Sequence, residues 1–287
     1  MWLMAAFTFR EAWRKKVALI AGILTIAFLV LYGTGLHFIG KNISRHLGGV
    51  ADPYAQMQAI FLFVMGVYMA SFLVAGLSIL AAVGSVSSEI ENGTLHALAV
   101  RPLSRRELLL GKFLGQAAML VVYAAIFFLA LAALVRWQLG IGIPGIIPAL
   151  GLFILEPVVL LALTMLGTVR LSTMGNGVLA FALYALAIVG GMMEQIGSML
   201  DSTTAIYMGV ITSLILPADA LYRRLVATVV AQLPPASGPG GFFINPQNML
   251  GPFGSLSTPS NWMLLYTGLY IVGLVAAAIH LFNRRDI

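Results

Sequence analysis

Few side chains in this sequence could do chemistry, and the most unusual of them is Glu156. It lies near the middle of an apolar run, 146–169, and is followed by Pro157, which removes a backbone hydrogen bond and can kink a helix. A carboxylate at the centre of a membrane span costs roughly 2.5–3.5 kcal/mol on insertion scales, so it should face a cavity or a partner. Glu156 is therefore a candidate for lining or gating a path through the membrane. A protonated or hydrogen-bonded packing residue is the alternative.

The residue types that most catalytic and metal sites require are absent or scattered. The sequence has no cysteine, which excludes a disulfide framework, a thiolate metal site and a cysteine nucleophile. Its four histidines have no partner at i, i+4 spacing, so we expect no metal site. Gly111-Lys112 lacks the glycine loop of a Walker A motif, so we expect no ATP hydrolysis by this chain. A membrane-embedded enzyme would need several polar residues inside the membrane, such as a Ser with a His or a pair of acidic residues. Only Glu156 is clearly placed there.

The composition is that of an integral membrane protein. Of 287 residues, 60% are hydrophobic and only 9% are charged, whereas soluble domains carry about 25% charged residues. The net charge of +6 could suggest nucleic acid as a partner. However, the basic residues lie beside apolar runs, which indicates membrane orientation and not a nucleic-acid interface.

Six apolar runs are long enough to cross a hydrocarbon core, for which about 20 residues are needed. We therefore expect an all-α integral membrane protein. Its six spans are predicted near 17–39, 59–86, 108–135, 146–169, 177–193 and 262–282.

The basic residues predict the orientation. Eleven of the sixteen fall on one side of the predicted membrane: Arg10, Arg14, Lys15, Lys16, Arg101, Arg105, Arg106, Lys112, Arg170, Arg284 and Arg285. The others fall opposite: Lys41, Arg45, Arg136, Arg223 and Arg224. Because Lys and Arg concentrate in cytoplasmic loops, we expect both termini in the cytoplasm.

The segment 194–261 is predicted to be external and partly helical. Its run 205–216 is too short for a span and suits a re-entrant or interfacial helix. Pro217 ends that run, and 219–233 can form a second, amphipathic helix. If both pieces crossed the membrane as a hairpin, there would be eight spans and the termini would still face the cytoplasm. Glu194, at the start of the segment, is expected to be a solvated helix end.

The N-terminal residues 1–16 predict an amphipathic helix. Aromatic residues share one face, while the other carries Glu11, Arg14 and Lys15. Such a helix lies in the headgroup plane of a membrane. A basic segment that merely flanks the first span is the alternative.

The polar stretch 89–115 separates two apolar runs and contains its own helix signals. Ser88 with Glu91 forms one capping box and Ser104 with Glu107 forms another, and each predicts a helix start. The spacing therefore indicates a short helix held between two long ones.

That short helix, at 95–100, is bounded on both sides. The turn dipeptide Asn92-Gly93 and the N-cap Thr94 precede it, and Arg101-Pro102 stops it. It presents Leu95 and Leu98 outward. A segment that docks on another protein needs capped ends and an apolar stripe, whereas a solvated cytoplasmic loop, the alternative, needs neither.

The residues from Glu89 to Lys112 read E-x-E-x-G-T-L-x-x-L-x-x-x-P-x-S-R-x-E-L-L-x-G-K. This run resembles the loop between the second and third membrane helices of type-2 ATP-binding-cassette (ABC) export permeases. In that family the segment is a coupling helix that rests on the ATPase subunit. The basic C-terminal segment, Phe282 to Ile287, is also similar to the C-terminal segment of that family.

The resemblance implies a division of the chain. Residues 1–16 would be the elbow helix, and 17–287 the transmembrane permease domain with its coupling segment at 87–107. The ATPase would be contacted by Glu89, Glu91, Gly93, Thr94, Leu95, Leu98, Arg101 and Arg105. The elbow helix would lie near the same subunit through Arg10, Arg14 and Lys15.

The resemblance also implies partners. We expect an exporter in the cytoplasmic membrane of a prokaryote, with two permease chains forming a homodimer and two ATPase subunits. ATP and Mg would bind the ATPase, so no cofactor is expected on this chain. The lipid bilayer would surround the chain, and nucleic acid is not an expected partner.

An ion-coupled secondary transporter using Glu156 is the alternative. It should show repeated halves or paired broken helices, and the sequence has no convincing internal repeat.

Overall fold

The computed structural model describes residues 2–14, 16–46, 53–83, 85, 105–233, 236–237, 243–244, 247 and 250–284. The helices in this part of the chain are α1 (Trp2–Arg14), α2 (Lys16–His46), α3 (Pro53–Val83), α4 (Arg105–Leu139), α5 (Ile146–Thr168), α6 (Thr173–Met199), α7 (Thr203–Ile215), α8 (Ala218–Val230) and α9 (Trp262–Asn283). Two short strands, β1 (Ala236–Ser237) and β2 (Phe243–Ile244), pair antiparallel. A 3₁₀ turn, Gly251–Phe253, follows them.

Six of these helices, α2 to α6 and α9, are long and apolar enough to span a membrane. This confirms the prediction of an all-α membrane protein with six spans. Hydrocarbon offers no partner for backbone N–H and C=O groups, so a spanning segment satisfies them best within a helix. Where the helical hairpin was predicted, the structure has two shorter helices, α7 and α8, which are bent by 111° about the break at Leu216 and Pro217.

The helix α5 lies at the centre of the bundle and packs against α3, α4, α8 and α9. Pro157 lies inside it, and the helix continues through that position. The Ser78 hydroxyl of α3 donates to the Pro157 carbonyl at 2.7 Å, which fixes α3 against the middle of α5. In contrast, α2 is the least buried span and contacts mainly α3 and α4.

The two ends of the bundle differ in what covers them. At one end, α1 lies along the first turns of α4, and Ala12, Leu109 and Phe282 share one buried cluster. We call this the α1 end. At the other end, α7 and α8 cover the bundle, and Leu216, Leu221 and neighbouring residues join the main core. We call this the hairpin end.

Candidate functional site

At the α1 end, polar contacts join the two helices that bracket the predicted coupling segment. The Lys112 Nζ of α4 donates to the carbonyl of Ser85, just past the end of α3, at 2.5 Å. The Gln116 amide donates to the Ala81 carbonyl at 3.1 Å. The last carbonyls of a helix lack intrahelical donors, and a lysine there also complements the helix dipole. Both side chains are buried, so α3 and α4 are held together where the intervening stretch leaves and re-enters the bundle.

The helix α1 approaches α4 closely at Gly115. A Cβ atom at this position would lie 2.5 Å from the Ala5 carbonyl oxygen and 2.7 Å from the Thr8 Cβ. Only glycine permits this distance between the two helices, as in other close helix contacts in membranes. The N-terminal helix is therefore packed on the helix that follows the predicted coupling segment.

The structure places only part of the predicted ATPase contact surface. Seven of its residues lie outside the described residues: Glu89, Glu91, Gly93, Thr94, Leu95, Leu98 and Arg101. Arg105 begins α4 and Arg14 ends α1, but their side chains are not described, and Lys15 lies between described segments. Arg10 is exposed on α1. The contact of all these residues with an ATPase stays a prediction.

Glu156 is buried in α5, with 3% of its surface exposed. The Tyr184 hydroxyl of α6 donates to its Oε1 atom at 3.4 Å, a long hydrogen bond. Ser71 of α3 is also buried, and its hydroxyl has no hydrogen-bond partner among the described residues. The carboxyl therefore faces protein groups and not lipid, while its role in a substrate path stays a prediction.

A buried group of charges lies at the hairpin end and is centred on Arg223 of α8. The Arg223 Nη1 lies 2.7 Å from Glu194 Oε1 of α6, and its Nε lies 2.8 Å from Asp219 Oδ2, one turn earlier in α8. Its Nη2 donates to the Ser213 hydroxyl of α7 at 2.8 Å. All four residues are less than a tenth exposed. We call Arg223, Glu194, Asp219 and Ser213 the hairpin cluster.

The expectation that Glu194 is a solvated helix end is wrong. It is 4% exposed, because Arg223 pairs with it and the Ser257 hydroxyl donates to it at 2.6 Å. The helix α6 runs on to Met199, beyond the predicted end of the fifth span at 193, so it carries Glu194 under the hairpin. Both partners lie far along the chain, which is why local sequence patterns did not indicate this burial.

The segment before α9 completes the hairpin end. The side-chain oxygen of Gln195 accepts from the backbone N–H of Leu256 at 2.7 Å. The Tyr222 hydroxyl donates to the Phe253 carbonyl at 3.2 Å, and the ring of Tyr68 lies against both aromatic rings, 5.3 Å and 5.0 Å away. The residues just before α9 are therefore fixed onto α6, α8 and α3.

The hairpin cluster joins two groups of helices. The first arm of the hairpin, α7, packs mainly on α6, whereas the second arm, α8, packs mainly on α5. The two arms touch each other little. We call the contact between the α6–α7 pair and the group α3, α5 and α8 the seam. Arg223 crosses it from α8 to both α6 and α7.

Two other polar contacts cross the seam nearer to the α1 end. One is the hydrogen bond from Tyr184 to Glu156. The other runs from the Asn176 amide of α6 to the Thr164 carbonyl of α5, at 3.0 Å. Polar contacts thus cross the seam at three levels, whereas the main core is apolar. Directional contacts of this kind select one packing of two helix groups over its alternatives.

Gly191 allows the two sides of the seam to meet, and adding one methyl group there should destabilise the protein. A Cβ at Gly191 would lie 1.7 Å from Asp219 Oδ2, which cannot move away without leaving Arg223. We expect Gly191→Ala to cost about 1–3 kcal/mol, as overpacking does. Thermal unfolding in detergent measures this. In the control variant, Gly268→Ala in α9, the added atom meets open space. Equal melting temperatures for the two variants would contradict the packing.

Comparison with known proteins identifies the family of this chain. The family model described as ABC-2 family transporter protein matches residues 2–287. The chain is also similar to the probable ABC transporter permease protein NosY of Stutzerimonas stutzeri, with 28% identity over 155 aligned residues. The aligned residues make up 53% of this chain and 50% of NosY. The chain thus spans about half the length of the curated relative it matches. Because the family model covers nearly every residue, this chain belongs to the ABC-2 family of transporter proteins.

Proposed function

We propose that this chain is the membrane subunit of an ABC exporter, where it forms the substrate path and is driven by a separate ATPase. The observation that carries this proposal is the set of helix contacts at the α1 end. There, Lys112 and Gln116 join the two spans that enclose the predicted coupling segment, and α1 packs beside them at Gly115. A force applied to the enclosed segment would reach α3 and α4 together.

The proposed assembly has two copies of this permease and two ATPase subunits, which bind ATP and Mg. Its place is the cytoplasmic membrane of a prokaryote, with both termini and the α1 end in the cytoplasm. This orientation puts the larger set of basic residues inside, as the charge rule requires. The hairpin end would then face outward and close the path on that side.

The proposed mechanism is a shift between two packings of the spans. Closure of the ATPase dimer on ATP would push on the segment around Leu95, and the displacement would pass to α3 and α4 through Lys112 and Gln116. A partner shifts such an equilibrium only by binding one state more tightly than the other. The ATPase must therefore contact the coupling segment differently in the two states.

Co-purification tests this function directly. The tagged chain would be expressed with the ABC ATPase encoded beside it, purified in detergent and returned to lipid for measurement of ATP turnover. We expect the ATPase to be retained and active. A permease that is monodisperse and folded but retains no ATPase would contradict the proposal.

A second candidate, the ion-coupled transporter, is favoured by one observation, the buried carboxyl of Glu156 beside Tyr184. Glu156→Gln separates the two candidates because the amide oxygen still accepts the hydrogen bond from Tyr184 but cannot carry a titrating proton. For an ABC permease we expect ATP turnover of the lipid-embedded complex to stay unchanged. An ion-coupled transporter should instead move its substrate in response to a proton gradient without ATP, and Glu156→Gln should abolish that transport in a variant with the wild-type melting temperature.

A further inference from the structure

We propose that the hairpin cluster is a proton-binding site, in which Asp219 takes up one proton and thereby tightens the contact between α8 and the α6–α7 pair. The strength of the seam would then depend on the pH at the hairpin end. This inference goes beyond the proposed export function and rests only on contacts within this chain, so it does not depend on the exporter assignment.

The cluster contains one more acidic group than basic groups. Glu194 and Asp219 both contact the Arg223 guanidinium, at 2.7 Å and 2.8 Å, and it is the one cation in contact with either carboxyl among the described residues. If both acids were ionised, one of their negative charges would therefore be uncompensated. All three side chains are buried. Burying an uncompensated charge is so unfavourable that the group usually binds a proton and becomes neutral.

Asp219 is the acid with less support for its ionised form. Glu194 Oε1 lies against Arg223 and also accepts a hydrogen bond from the Ser257 hydroxyl at 2.6 Å. Asp219 has one donor in the described part of the chain, the Arg223 Nε. Because hydrogen bonds to a carboxylate favour its charged form, the proton goes to Asp219. This residue is also the most exposed of the three, at 8%, which gives a proton access to it.

The cluster also contains an acceptor without a donor. Glu194 Oε2 is buried and has no hydrogen-bond partner among the described residues. A protonated carboxyl can donate a hydrogen bond, whereas an ionised one only accepts. Uptake of one proton would thus bring both a compensating charge and a further donor into the cluster.

The other groups around Asp219 do not supply the missing positive charge. Its charged and titratable neighbours come from four helices: Arg223 and Tyr222 of α8, Glu194 and Tyr184 of α6, Tyr68 of α3 and Glu156 of α5. The α7 neighbour of Arg223 is Ser213, which is neutral. Tyrosines are neutral in the range where carboxyls titrate, and Glu156 could only add negative charge. Arg223 alone therefore opposes the acids.

Burial raises the pKa of Asp219 to about 6, with Arg223 opposing the rise and Glu194 adding to it. Asp219 lies on α8, which is not one of the six spans. Its place in the first turn of α8 favours the charged form, but this effect is weaker than that of burial. Since the pKa is higher in the folded than in the unfolded chain, proton binding stabilises the fold. That stabilisation is present at low pH and is lost as the pH rises from about 4 through about 6.

The test compares Asp219→Asn with the wild-type chain, because the amide resembles a protonated carboxyl. It keeps an oxygen for the Arg223 Nε and carries no charge. Unfolding of the purified full-length chain by SDS in mixed micelles would be measured from about pH 4 to about pH 8. We expect similar stability at the acidic end and a more stable variant at the alkaline end. The ratio of the two unfolding constants should change by up to about a hundred-fold, as a pKa raised from about 3.9 to about 6 implies.

A control variant and a second measurement separate proton binding from other effects. Asp201→Asn makes the same change at an exposed turn residue before α7, and its effect on stability should not vary with pH. Asp219→Asn combined with Glu194→Gln leaves Arg223 buried without a carboxylate and should be less stable than Asp219→Asn at every pH. Infrared difference spectra between the wild type and Asp219→Asn should contain the C=O band of a protonated carboxyl at about pH 5 and not at about pH 8.

Two results would overturn the proposal. If Asp219→Asn is less stable than the wild type, or does not fold, and Asp201→Asn behaves normally, the fold needs Asp219 in its ionised form. If the difference in stability does not vary with pH and the protonated-carboxyl band is missing, the cluster binds no proton. Neither result bears on ATPase retention, so failure here and failure of the exporter proposal are distinguishable.

Discussion

Replacing Arg223 with methionine should lower the free energy of unfolding by about 3–5 kcal/mol, the usual cost of breaking a buried ion pair from one side. The substitution keeps much of the side-chain volume but leaves Glu194 and Asp219 buried without the guanidinium that both contact. Ser213 would also lose its donor. Unfolding of the purified protein, by heat or by titration with SDS, measures the loss.

Two further variants show whether charge or packing is responsible. Arg224→Met is the matched control, because the neighbouring guanidinium is only partly buried and bonds to the Pro259 carbonyl and to Asn261. We expect a loss there of about 1 kcal/mol, as for an ordinary hydrogen bond. Changing Arg223, Glu194 and Asp219 together to Met, Gln and Asn should recover most of the lost stability, since no net charge then stays buried. Equal losses for Arg223→Met and Arg224→Met would contradict the description of the hairpin cluster.

Leu95→Asp should abolish both ATPase retention and ATP-driven transport while leaving membrane insertion intact. Leu95 lies outside the described residues, and its proposed contact with the ATPase rests on the family resemblance and on the capped helix predicted at 95–100. Burying a leucine side chain in an interface contributes about 1.5–3 kcal/mol, and a carboxylate there must also be desolvated. A small docking surface would lose its affinity under that combined cost. The measurement is the amount of ATPase that co-purifies with the variant, followed by turnover in lipid.

The control for this variant is Leu171→Asp. Leu171 is partly exposed in the turn between α5 and α6, near the α1 end, so it receives the same substitution on the same side of the membrane. It should retain the ATPase. Gly93→Pro should act like Leu95→Asp, because it disrupts the turn that precedes the short helix. Normal transport by Leu95→Asp or Gly93→Pro would remove the coupling assignment.

The fold was predictable where one physical rule dominates. Apolar runs of about 20 residues indicated six spans because a bilayer leaves the backbone few alternatives to helix. Pro217 indicated the break in the hairpin because it lacks the N–H that would continue a helix. The insertion cost of Glu156 indicated that its carboxyl would face a cavity or a partner and not lipid, and in the structure it is buried beside Tyr184.

The hairpin cluster was not predictable in the same way. Asp219 and Arg223 have the i, i+4 spacing of a helical ion pair, which could have served as a local signal. Glu194, however, precedes Arg223 by 29 residues, and no periodicity relates the two. Whether a charged residue at a helix end is solvated or buried depends on what folds over it. Here that is the hairpin and the segment that holds Ser257.

The same cluster has a consequence for biosynthesis. Glu194 leaves the ribosome well before Arg223, and Ser257, which donates to it, follows 63 residues after it. Until the hairpin has folded back, the growing chain holds an unpaired carboxylate at the end of α6. A chain truncated before residue 223 would keep that carboxylate permanently. The burial of Glu194 is therefore completed only after residues made much later, Arg223 and Ser257, have been synthesised and folded over it.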